Sequence, residues 1–99
     1  MNNMINIEIL KESDSLITEI SNTFPDCDRL DVDSFGMESL VAFILPLATV
    51  LTPIGCQLIK KLIKDRNVTI KHNGIEISGD YEHVKEILEE LREIEKKSD

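Results

Sequence analysis

Ile5, Ile7 and Ile9 alternate with Asn6 and Glu8, a period of two that predicts a half-buried strand over Met4–Leu10. The period then lengthens. Leu16, Ile17, Ile20 and Phe24 recur at helical spacing, Ser13, Asp14 or Ser15 can cap the first turn, and Pro25 ends the helix by removing a backbone donor. Leu30-Asp31-Val32-Asp33 alternates again and predicts a short second strand, punctuated by Gly36. From Met37 to Asp65 the chain turns apolar, and the twenty residues from Leu40 to Ile59 carry no charge. This stretch predicts a long apolar helix over residues 37–65, kinked at Pro46 and Pro53. Thr52-Pro53 is also a good helix start, so two helices over 38–51 and 53–65 are the alternative. Ala48, Thr52, Gly55 and Cys56 would form a strip of small residues that permits close packing. Val68–His72 and Ile75–Ser78 alternate on either side of Asn73-Gly74, a pair that favours the type I′ turn of a hairpin. Asp80 then reads as the N-cap of a last helix whose stripe is Val84, Ile87, Leu88, Leu91 and Ile94.

The resulting order, β-α-β-α-β-β-α, predicts an α+β fold: a four-stranded sheet with amphipathic helices and the kinked helix 37–65 packed on it, in one domain spanning residues 1–99. The charge-free run allows a different reading. At about 1.5 Å per residue, twenty helical residues cover about 30 Å, the thickness of a bilayer core. Lys60, Lys61 and Lys64 would flank such a span at 40–59 in the positive-inside sense. However, a span there would separate the first strands from the hairpin, and neither half can cover its own apolar faces. Together with the two prolines and Gln57, this favours a buried core helix.

Composition fits a folded chain, with 41% apolar and 30% charged residues. The net charge of −8 is unevenly distributed. Residues 1–38 hold nine acids against Lys11 and Arg29, and residues 76–99 hold nine against Lys85, Arg92, Lys96 and Lys97. The middle is basic: Lys60, Lys61, Lys64, Arg66 and Lys71 against Asp65. An acidic chain repels phosphate backbones, so no nucleic-acid partner is expected. The basic stretch suits the C-terminal end of a helix dipole. Two cysteines, Cys27 and Cys56, form no disulfide framework and suit a reducing cytosol. No basic segment precedes an early apolar stretch, so no signal peptide is expected. The expected location is cytoplasmic, with the inner membrane as the alternative.

Candidate chemistry is sparse. Asp26, Asp28, Asp31 and Asp33 are rich in oxygen, but counting from Asp31 places Phe35 fifth and Ala42 twelfth, so the calcium-loop pattern fails. Cys27 with His72 or His83 could be imagined as nucleophile and base, without any local signature for it. Two cysteines and two histidines match no zinc spacing, and no glycine loop cradles a phosphate. No catalytic residue, cofactor or metal site is therefore assigned, and the chain is not expected to be an enzyme.

Val68, Ile70, Gly74, Ile75 and Ile77, preceded by the apolar segment and its Lys60–Arg66 basic end and followed by YEHVKEILEELREI, make a recognisable layout. Over about the last sixty residues the chain resembles the small effector-associated constant component domains of bacterial conflict and signalling systems. The resemblance implies a non-catalytic adaptor whose partner is an effector or sensor protein. Homo-oligomerisation stays open, as do two alternatives: a single-pass membrane-anchored effector spanning with 40–59, and an acidic inhibitor that mimics nucleic acid through a face containing Asp31 and Asp33.

Overall fold

The computed structural model describes residues 4–32 and 39–97. Gly36, Asp33 and the start of the apolar segment at Met37 lie outside that range. The fold is α+β. Five strands pair in the order β2-β3-β1-β4-β5, every pair antiparallel. They are β1 (Met4–Leu10), β2 (Asp28–Val32), β3 (Leu40–Pro46), β4 (Val68–His72) and β5 (Ile75–Ile77). The helices are α1 (Asp14–Thr23), the single turn α2 (Leu47–Val50), α3 (Pro53–Leu62) and α4 (Tyr81–Lys97).

The first strand, the first helix, the hairpin and the last helix fall where the sequence pattern puts them. Asn73 and Gly74 take φ of 52° and 80°, the positive values a type I′ turn requires. The Asp80 carboxylate accepts the backbone N–H of His83 at 2.9 Å, capping α4. Thr52 caps α3 by accepting the Gly55 N–H at 3.1 Å, with Pro53 opening the helix.

The long apolar helix over 37–65 is not present, and the sheet has five strands rather than four. Its first part, Leu40–Pro46, is a strand hydrogen-bonded on both sides, to β1 and β2. Val41, Phe43 and Ile44 suit a strand, being β-branched or aromatic. Pro46, which cannot donate to a ladder, takes the last position of the strand. Residues 47–50 make one helical turn, and a new helix begins at Pro53. No helix among the described residues is long and apolar enough to cross a membrane.

The register assigns each side chain to a face. Ile5, Ile7 and Ile9 lie opposite Leu45, Phe43 and Val41, and Ile7 also lies opposite Ile70, which pairs with Ile77. These residues share one face, and all are buried. On them pack Leu16, Ile17 and Ile20 of α1, Leu47 and Val50 of α2, Leu58, Ile59 and Leu62 of α3, and Val84 and Leu88 of α4. Among the described residues no polar or charged residue is buried. The sheet needs both halves of the chain, since β1 pairs with β4 as well as with β3.

Gly55 of the small-residue strip sits where α3 turns back against α2. A Cβ there would lie 2.7 Å from the Thr49 carbonyl oxygen and closer still to that of Val50. Both obstacles are backbone and cannot rotate away. Gly55→Ala should therefore destabilise the fold by about 1–3 kcal/mol, as overpacking does. Chemical denaturation checks this: a lowered midpoint at unchanged slope is expected.

Candidate interaction surface

Among the described residues, the second face of the sheet carries no helix. Alternation places Met4, Asn6, Glu8 and Leu10 of β1 on it, with Leu40, Ala42, Ile44 and Pro46 of β3, Asp28 and Leu30 of β2, Thr69 and Lys71 of β4, and Glu76 of β5. Most of these side chains are half-buried. Pro46, Asp28, Leu30 and Glu76 are exposed, and Ala42 is buried at 4% exposure but stays outside the core cluster. None of Met4, Leu10, Leu40, Ile44 or Leu30 belongs to that cluster or packs against it.

The face is divided. Toward β4 and β5 it is polar: Lys71 reaches Glu8 at 3.2 Å, beside Thr69 and Glu76. Toward β3 and β2 it is mainly apolar, with Leu10, Leu40, Ala42 and Ile44 leading to Leu30, which is 56% exposed at the edge strand, while Asp28 opposite Ile44 sets a charge beside them. The seven residues of β3 carry this apolar half because both of their alternating sets are hydrophobic. Sequence reasoning missed this surface. The available signal was the density of β-branched and aromatic residues in 41–44, hidden inside a longer apolar run.

The residues singled out from sequence are kept apart. Asp28 and Asp31 lie on opposite faces of β2, and Asp31 accepts from Arg29 at 3.2 Å. Asp26 lies in the exposed turn before β2, and Asp33 is outside the described residues. Among the described residues no group of three or more His, Cys, Asp or Glu is placed to hold a metal. Cys27 sits just before edge strand β2, whereas His72 ends β4, three strand spacings or roughly 14 Å across the sheet. His83 lies on α4. Burial pushes the Cys27 thiol up, Asp28 and Asp26 adding to the effect, so it stays protonated and weakly nucleophilic. The basic stretch is largely absorbed by structure: Lys61 pairs with Glu19 of α1 at 2.8 Å, Lys60 lies 5.7 Å over the Tyr81 ring, and Lys71 pairs with Glu8.

A second cluster was also not foreseen. Where α4 meets α3, Tyr81, Cys56 and Lys85 line one crevice, with Lys60 5.7 Å over the Tyr81 ring. The crevice, lined also by Val50, Leu51, Ile59 and Leu88, is too tight to admit water. This is packing that fastens α4, not a ligand cavity. Comparison with family models, curated proteins and solved structures found no match to this chain.

Burial pushes the Tyr81 phenol above its ordinary value near 10; Cys56 raises it further and Lys85 opposes the rise. The chain holds one tyrosine, so tyrosinate absorbance reports this group alone. Its midpoint should lie above that of a free tyrosine and move back toward it in Cys56→Ala. The neutral phenol is the form the fold favours. The linked stability is thus full below the unfolded pKa and is lost as pH rises through the folded one.

Proposed function

We propose that this chain is a non-catalytic protein–protein interaction module, an adaptor that receives its partner on the helix-free face of the sheet. One observation carries the reading. A contiguous apolar half-face, from Leu10 through Leu40, Ala42 and Ile44 to Leu30, lies outside the core that stabilises the fold. Such a patch rimmed by polar groups suits a protein partner. The Glu8–Lys71 pair and Glu76 form that rim on one side.

The partner class is an effector or sensor protein of a bacterial defence or signalling system. Support for this comes from the resemblance to effector-associated constant component domains, carried by Val68, Ile70, Gly74, Ile75 and Ile77. A cytoplasmic setting accords with two free cysteines. The membrane-anchored reading draws little support from residues 40–59, which fold as a strand and two short helices. The acidic-inhibitor reading draws less than the adaptor, because Asp28 and Asp31 face opposite ways.

Site-specific photo-crosslinking in the native host tests the adaptor. A benzophenone side chain at Ile44 or Leu40 should capture one discrete protein, and the same group at Ile94, exposed on α4, should not. Equal capture from all three positions, or from none, would reject the bare face as the docking surface.

A further inference from the structure

Strand β2 forms one edge of the sheet, its outer side unpaired among the described residues. An exposed edge invites another strand, and natural edges are commonly protected by charge. Here the charges favour one guest. Arg29 and Asp31 share the helix-bearing side of β2, yet their side chains are 47% and 50% exposed, so no helix of the described residues overhangs this edge.

We propose that the β2 edges of two copies of this chain pair antiparallel, about a two-fold axis passing between the two Leu30 residues. In antiparallel pairing, directly opposed residues point to the same face, so a two-fold axis must be centred on a residue. Within Asp28-Arg29-Leu30-Asp31-Val32 the choices are few. Centring on Asp28, Arg29 or Asp31 sets a like charge against itself, which opposes pairing, and centring on Val32 pairs no other residue of the strand. Centring on Leu30 sets Arg29 against Asp31 of the second copy and Asp31 against its Arg29, with Leu30 against Leu30 on the other face. Asp28 then faces the uncharged Val32. In this register the exposed intrastrand pairs, one in each copy at 3.2 Å, are exchanged for two cross-strand pairs. Leu30, 56% exposed in the single chain, gains an apolar neighbour.

The axis runs perpendicular to the sheet, so both helix layers stay on one side. The two bare faces become one, with the Leu30 pair at its centre. The contact is short, five residues a side, so the dimer is weak and forms with rising concentration.

Sedimentation velocity of the full chain, from micromolar to millimolar concentration, tests this. The wild type should shift from monomer to dimer, and no further. Arg29→Asp and Asp31→Arg each create two like-charge oppositions and should weaken the dimer by about tenfold or more. The double variant carrying both changes should recover it. An equimolar mixture of the two single variants should recover it too, because all-acidic then meets all-basic at both positions. Circular dichroism confirms that each variant is folded. A wild type that stays monomeric throughout, single variants that dimerise like it, or a mixture that fails to associate would each overturn the proposal. Arg29 and Asp31 lie on the helix-bearing side, so capture of a partner at Ile44 is read separately from self-association.

Discussion

The pairing of β1 with β3 is the contact on which the rest of the molecule depends. It sets Ile5, Ile7 and Ile9 against Leu45, Phe43 and Val41, all essentially excluded from solvent. Each such side chain gains about 1.5–3 kcal/mol on leaving water, against a net stability of about 5–15 kcal/mol for a typical domain. The six together are therefore not dispensable. The ten-residue helices α1 and α3 are too short to persist alone in water, and a lone β4–β5 hairpin is marginal. Each is ordered by lying on, or pairing with, this central pair of strands.

This dependence explains which parts of the fold were legible in the sequence. Asn73-Gly74, Asp80 and Thr52-Pro53 act through local chemistry, and each does in the structure what its residue type dictates. Ile5, Ile7 and Ile9 showed their strand because Asn6 and Glu8 mark the opposite face. β3 had no such marker. Val41, Phe43 and Leu45 face the core, and Leu40, Ala42 and Ile44 on the other face are apolar as well, so alternation vanished into a continuous run. Joined to a helical turn and to α3, it reached the length of a bilayer span. The break between strand and helix is fixed by tertiary pairing with β1 and β2, which no local pattern announces.

The property that concealed β3 is also the one that gives the molecule a candidate surface. A strand that served only the core would carry polar residues outward. Instead Leu40, Ala42 and Ile44 carry apolar groups to the helix-free side, and Leu30 extends them to the sheet edge. Of the acids noticed in the sequence, Asp28 and Asp31 are set by β2 on two different faces, and the cysteine and histidine candidates are held on separate elements. The Cys56–Tyr81 contact was illegible for another reason: it joins residues from two helices whose packing depends on the sheet beneath them. What the fold assembles is a surface with a core face, a bare face and a self-complementary edge.

The most direct test of this architecture is NMR of the uniformly labelled chain. Residues 40–46 should show extended-backbone carbon shifts, with cross-strand contacts joining Ile7 to both Phe43 and Ile70. Helical shifts running continuously from residue 40 through residue 59, without those contacts, would contradict the account.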